Sequence, residues 1–358
     1  MSDFRTFGTS LRGNAEPMKP VEDPAGWTPQ SLADVDTWSY RFTPSDVEEL
    51  AAAVSQVNRR GVPTAEISRG DFPLGSLGRV LADVRRELTD GRGIVMMRGF
   101  PIDTFTREQT AIAYLGMGVH IGRPITQNRE GHVLGHVKDL GGDYNDPNTR
   151  AYMTRAELRF HADGCDYVGL LCLKTSMRGG ESRVASSVTL YNRILTRRPD
   201  LARVLCEDFY VSRVGDISAG QGPWYLQPIF SFTDGYFSAT GAGMAIEKAQ
   251  RLPGVPQWTT AQREAVALYR ELVAECAADI EFKPGDIQFL NNFVTLHTRR
   301  EYEDWPEADR KRHLLRLWLM DPAGRPIPRE QRAGRAGSGI QIAGVSRTAP
   351  LEADVVVN

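Results

Sequence analysis

The stretch Leu158-Arg159-Phe160-His161-Ala162-Asp163-Gly164-Cys165-Asp166-Tyr167-Val168-Gly169-Leu170-Leu171-Cys172-Leu173 joins the clearest strand signal in the chain to its clearest chemical one. Val168 to Leu173 is a short apolar run that stops before the turn-prone Arg178-Gly179-Gly180, the pattern of a buried strand. Just upstream, His161 and Asp163 are two apart. In extended backbone such side chains share a face, so an imidazole and a carboxylate converge on one point. The tripeptide alone is equally well explained by a hydrogen-bonded His–Asp pair.

Working outward, the chain reads as one mixed α and β body. Toward the N-terminus, Thr43-Pro44 sets a helix start, and Leu77, Val80, Leu81, Val84 and Leu88 recur at helical spacing. A short buried strand is expected at Gly93 to Arg98 and a helix near Thr106 to Leu115. The segment Ile121 to Asn148, with Gly141-Gly142-Asp143 and Asn145-Asp146-Pro147, reads as loop. Residues 121–158 are therefore expected to form a lid ahead of the HxD motif. Toward the C-terminus, Thr259 with Gln262 makes a capping box for a helix whose face carries Ala265, Leu268, Tyr269, Leu272, Val273 and Cys276. Lys283-Pro284-Gly285-Asp286 fits a type II turn between strands. The expected organisation is residues 1–89 as helical and extended elements packed on a core domain of residues 90–325, then a surface-wrapping or partly disordered tail, 326–358.

A metal would need a third ligand. Besides His161, the chain has His120, His132, His136, His297 and His313. His297 follows the apolar Ile287-Gln288-Phe289-Leu290 and Val294-Thr295-Leu296, which places it on or just after a core strand. Two histidines and a carboxylate, with coordination positions left open, are the ligand set of non-haem iron(II) oxygenases. The same three residues would equally serve a zinc-type metallohydrolase. Arg312 and Arg316, four apart in the apolar stretch Arg312 to Leu319, would share one face of a strand, and their forked guanidinium groups suit carboxylates.

Bulk properties narrow the class. The chain has 358 residues, 41% hydrophobic and 25% charged, with a net charge of -2, as expected of a globular protein rather than a disordered or membrane chain. Lys and Arg are scattered, which argues against a nucleic-acid partner. Neither a signal peptide nor a membrane-spanning run is evident, so a cytoplasmic protein without a membrane partner is expected. The four cysteines, Cys165, Cys172, Cys206 and Cys276, form no CxxC pair and read as free thiols.

Between about residues 90 and 320 the chain resembles the TauD/TfdA (taurine dioxygenase-like) family of Fe(II)/2-oxoglutarate-dependent oxygenases. The resemblance is carried, in order, by His161-Ala162-Asp163 with the following strand, Gly179-Gly180-Glu181-Ser182, Lys283-Pro284-Gly285-Asp286, Asn291-Asn292 before His297, and Arg312xxxArg316. It implies an α+β fold with a double-stranded β-helix core (jelly-roll, cupin-like) flanked by helices. It also implies iron on His161, Asp163 and His297, and 2-oxoglutarate with its distal carboxylate on Arg312 and the Ser182 hydroxyl. O₂ would be the oxidant, succinate and CO₂ the by-products. Ser182 stands where the family usually has threonine, and the gap from His297 to Arg312 is several residues longer than in the taurine enzyme. The second arginine of the motif, Arg316, would hold an anionic group of a small, acid or amino-acid-like substrate. Asp163 favours hydroxylation, desaturation or ring closure over halogenation. Tyr167, Trp224 and Tyr225 are candidate pocket residues and Asn292 a candidate orienting group. Ordinary packing accounts for the three aromatics, and turn capping for Asn292. A non-catalytic small-acid-binding protein remains a third reading, and the sequence permits a homo-oligomer.

Overall fold

The computed structural model describes residues 12–141, 154–214, 217, 220–333 and 339–353. In chain order its strands are β1 (Ser39–Arg41), β2 (Ile94–Arg98), β3 (Arg123–Pro124), β4 (Leu134–Val137), β5 (Tyr167–Lys174), β6 (Arg178–Gly179), β7 (Ser182–Ser186), β8 (Asp208–Ser212), β9 (Trp224–Pro228), β10 (Phe230–Thr233), β11 (Tyr236–Ala239), β12 (Ala277–Ile280), β13 (Ile287–Asn291), β14 (Thr295–Arg299), β15 (Tyr302–Glu303) and β16 (His313–Met320). The helices used below are α1 (Pro44–Arg60), α2 (Ser76–Asp90), α3 (Arg107–Ile121), α4 (Ser187–Arg197), α5 (Pro199–Leu205), α6 (Met244–Ala249) and α7 (Thr260–Glu275).

A seven-stranded sheet runs β1-β2-β13-β5-β16-β3, with β4 also paired to β16. Its two faces follow from strand alternation. Val95, Met97, Tyr167, Leu171, Phe289, Leu315 and Leu317 pack against Leu50, Leu77, Leu81 and Tyr114 of α1, α2 and α3. The alternate residues, Met96, Val168, Cys172, Leu290, Leu314 and Trp318, share a core with Val184 and Ile280. Those two residues belong to a three-stranded sheet, β12-β7-β14, so this second core lies between the sheets. A third core joins α4, α5 and α7 to β10 and β11.

The local signals act as expected at several ends. Thr43 caps α1 with Pro44 at its first position, and Gly61 closes it in the left-handed conformation at φ 63°. Thr259 and Gln262 form the capping box of α7. At the Pro284-Gly285 turn, Gly285 has φ 84° and the Asp286 amide donates to the Lys283 carbonyl at 2.9 Å.

Three boundaries differ. Helix α3 runs on to Ile121, well past Leu115, because its later turns are buried; a Cβ on Gly116 would lie 2.4 Å from the Phe72 ring. The expected lid is only partly a loop. Its described portion contributes β3 and β4 to the main sheet, with Gly135 opposite Arg316 and Leu134 opposite Leu317. Residues 142–153 of that expectation lie outside the described residues. The segment after β16 wraps the surface but is also built into the core. Arg325, 1% exposed, donates to the Phe237 carbonyl at 2.8 Å and pairs with Asp23; Ile340 is buried beside Thr126. At the other end, β1 pairs in parallel with β2, so residues before 90 complete the sheet itself. Among the described residues no helix is long and apolar enough to cross a membrane, and all four cysteines are free.

Candidate active site

His297 lies in mid-strand on β14, and His161 stands opposite it as an isolated antiparallel bridge. The two residues exchange both backbone hydrogen bonds, at 3.0 and 2.9 Å, which projects their side chains to the same side. The ring centroids are 4.4 Å apart. Asp163 follows on a loop, where its amide donates to Asn292 Oδ1 at 2.9 Å. Donor atoms of His161, Asp163 and His297 all lie within 4.8 Å of one another, a spacing that can hold a metal ion. His161 Nδ1 is hydrogen-bonded to the Arg159 carbonyl at 2.9 Å, an outer partner of the kind that fixes the tautomer and orients a ligating imidazole. Burial pushes His297 down to about 3, so it is neutral and its lone pair is available.

The charge beside this trio comes from Arg316. Its Nη1 lies 3.5 Å from both Asp163 oxygens and its Nε donates to Gln127 Oε1 at 2.7 Å. Burial opposes ionisation of Asp163, but the positive charge of Arg316 beside it outweighs burial and holds the carboxyl below its usual range. Gln127 also donates to the backbone carbonyls of Arg316 and Val133, at 3.0 and 3.3 Å. Sequence reasoning missed Gln127 because it falls in the stretch read as loop.

Arg312 is buried just ahead of β16, four residues before Arg316. Its Nη2 donates to the Gly180 carbonyl at 3.3 Å, and its Nη1 has no partner among the described residues. Nearby, the Ser182 hydroxyl donates to Gln288 Oε1 at 3.2 Å, and Gln288 Nε2 is likewise buried and unpartnered. Buried donors left unused are costly, so a cation, an amide and a hydroxyl grouped this way are suited to an incoming carboxylate. The residues present therefore fit a 2-oxoacid with a distal acid group.

On the other side of the trio opens a cavity of about 640 Å³. It extends from His161, Asp163 and Arg316 to β8, β9 and α6, where Tyr225, Arg213, Thr240 and Lys248 line it. Of the candidate pocket residues, Tyr225 lines the cavity, its ring under the Arg213 guanidinium at 4.7 Å. Asn292 lines it too, but its hydrogen bonds go to the HxD loop, including Nδ2 to Cys165 Sγ at 3.2 Å. Trp224 does not line it; its ring packs edge-on against Tyr210 at 4.8 Å. Tyr167 corrects the sequence reading. Alternation along β5 turns it to the helical side of the sheet, fully buried, with its hydroxyl on Thr89 Oγ1 at 2.6 Å and Asp321 Oδ2 at 3.0 Å.

Sheets, trio and buried donors together make a site able to hold one metal ion within a mixed α and β fold. The profile of the family described as "Taurine catabolism dioxygenase TauD, TfdA family" matches residues 58–318, and the chain belongs to that family. It is an Fe(II)- and 2-oxoglutarate-dependent dioxygenase, with O₂ as oxidant. It is similar to the FR-33289 synthase of Streptomyces rubellomurinus, 29% identical over 320 residues, covering 87% of this chain and 93% of that one. It is also similar to the taurine hydroxylase-like protein SAT17 of Stachybotrys chartarum, 28% identical over 314 residues, with 84% and 80% covered. Among solved structures it shares its fold with asparagine oxygenase in complex with Fe(II), (2S,3S)-3-hydroxyasparagine and succinate, at TM-score 0.60 and 18% identity, covering 80% and 97% of the chains. The non-haem iron oxygenase OrfP, in complex with Fe and α-ketoglutaric acid, matches at TM-score 0.61 and 16% identity, covering 84% and 98%.

Proposed function

We propose that His161, Asp163 and His297 hold the iron, that Arg312 and Ser182 hold the distal carboxylate of 2-oxoglutarate, and that the cavity admits a small anionic or amino-acid-like substrate. The observation that carries this reading is the position of the trio, between a buried pocket of unused donors and an open cavity. Bound iron, cosubstrate and O₂ supply the oxidising power, with release of succinate and CO₂. The protein's part is positioning and exclusion of side reactions. Arg316 carries a positive charge at the floor of the cavity and orients Asp163 at the same time. An acid group of the substrate would be drawn to that charge, bringing a neighbouring C–H toward the trio. Hydroxylation, desaturation and ring closure are all open to such an arrangement. The two facing sheets are consistent with a double-stranded β-helix core.

A zinc-type hydrolase would use the same trio but would leave the donors around Arg312 without a role. The test is to add iron(II) and 2-oxoglutarate anaerobically, follow the visible absorption of the chelate, and screen amino and organic acids for compounds that perturb it. Compounds that do so should, on admission of O₂, raise succinate formation with an oxidised product in equal amount. Absence of succinate with every acid, from protein that binds iron, would overturn the reading.

A further inference from the structure

We propose that the distal carboxylate of 2-oxoglutarate is held by two arginines, with Arg299 and the Tyr302 hydroxyl joining Arg312. This rests on the pocket assigned above and extends it to residues outside the RxxxR motif. Strand register is the first ground. On β14, Arg299 is two residues past His297 and so shares its face, and it stands directly across from Ser182 on β7. Opposed residues of an antiparallel pair have neighbouring side chains, so Arg299 lies beside the hydroxyl of the same pocket.

The second ground is a shared ring. The Arg299 guanidinium is 4.6 Å from the Tyr302 ring centroid and that of Arg312 is 5.3 Å from the same centroid. Arg299 and Arg312 are each 5% exposed. Arg299 donates to the Thr154 carbonyl at 2.8 Å and to the Ala156 carbonyl, which leaves its Nε buried and unused. Among the described residues Arg312 Nη1 is unused as well, and the Tyr302 hydroxyl, which lies close enough to Arg299 to favour its charge, has no partner of full hydrogen-bond geometry. Two buried cations on one ring repel each other, and a buried charge without a counter-ion is costly. Asp304 accepts from the Arg312 backbone amide at 2.7 Å, but among the described residues no carboxylate makes an ion pair with either guanidinium, and Asp139, Asp304 and Glu181 act on them through space. A carboxylate has about four lone-pair directions. Arg312 and Ser182 meet some of them, and the idle Nε and phenol hydrogen are suited to the remainder.

The experiment measures dissociation constants on anaerobic iron-loaded protein for 2-oxoglutarate and for 2-oxopentanoate, which chelates alike but lacks the distal carboxylate. Arg299→Met should weaken 2-oxoglutarate by about 10- to 100-fold, the worth of one charged hydrogen bond, while leaving 2-oxopentanoate unchanged. Arg299→Lys should recover part of the loss, and Tyr302→Phe should show a smaller loss of the same selectivity. The last two keep the test open if Arg299→Met, which also frees two backbone carbonyls, fails to fold. Equal weakening of both acids, or no change in 2-oxoglutarate, would overturn the proposal. Arg312→Leu serves as the reference. If it weakens 2-oxoglutarate while the other variants do not, only the two-arginine pocket falls; if it too has no effect, the underlying site assignment falls with it.

Discussion

Gln127 holds Arg316 at both ends, and its removal is a direct measure of how firmly that arginine is placed. The side chain is 1% exposed; it accepts from Arg316 Nε and donates to the Arg316 carbonyl across a gap where a Cβ on Gly135 would lie 2.3 Å from its Oε1. Gln127→Leu keeps approximate volume but strands a buried charged donor, worth about 1.5–3 kcal/mol, and the carbonyls of Arg316 and Val133, worth about 1 kcal/mol each. Leucine recovers about 1 kcal/mol by burying more apolar surface. The net expectation is a loss of about 2.5–4 kcal/mol in urea unfolding of the metal-free protein, read from the midpoint at constant slope. Substrate-stimulated turnover should fall as well, since Arg316 is then free to leave Asp163. Gln127→Glu should keep the Nε contact but draw the guanidinium off Asp163. A Gln127→Leu protein within about 0.5 kcal/mol of wild type, the usual range for neutral surface changes, would refute the clamp.

The remaining expectations concern cosubstrate, acid stability and the corrected tyrosine. Arg312→Leu should raise the 2-oxoglutarate dissociation constant by roughly 30-fold or more, and Arg316→Leu far less while abolishing substrate-driven turnover; the reverse order, in a chelate titration, would reverse the assignments. His313, buried against His136 Nδ1 at 2.7 Å, is pushed down to about 2 by burial, and His136 is lowered too. His313 stays neutral when folded but protonates when unfolded near pH 6.5. Stability is therefore complete above that pH and is lost as pH falls below it, by about 2.5 kcal/mol at pH 4.5 for His313 alone. Urea midpoints of His313→Gln should show a shallower acid decline than wild type, and parallel curves would count against it. Tyr167→Phe should cost about 1–2 kcal/mol in stability through its bonds to Thr89 and Asp321, with turnover unaffected; a selective loss of turnover would return Tyr167 to the site.

Much of the site was legible because its signals are local. His161 and Asp163 announce themselves by spacing and by the apolar run that follows, and His297 by the strand before it. Arg312 was legible as a carboxylate binder from its place in an apolar strand, but its particular carboxylate only through the order of motifs, since that depends on a pocket assembled around β7 and β13 and the start of β16. Tyr167 was misplaced although its strand was read correctly: the HxD residues lie outside β5, so alternation counted from them does not fix which face Tyr167 takes. Gln127 and the strand β4 were hidden by glycine and by polar residues, which resemble loop until the partner strand β16 is known. Arg299 needed one further step, the two-residue period past His297, together with the register that sets it across from Ser182.

The most direct test of the central assignment is anaerobic iron(II) binding to metal-free protein in the presence of 2-oxoglutarate, by equilibrium dialysis alongside the visible absorption of the chelate. Wild type should bind one equivalent, and His161→Ala, Asp163→Ala and His297→Ala should each lose tight binding and the absorption while unfolding cooperatively as wild type does. Full iron binding by any one of the three variants would remove that residue from the metal centre and contradict the account of the site.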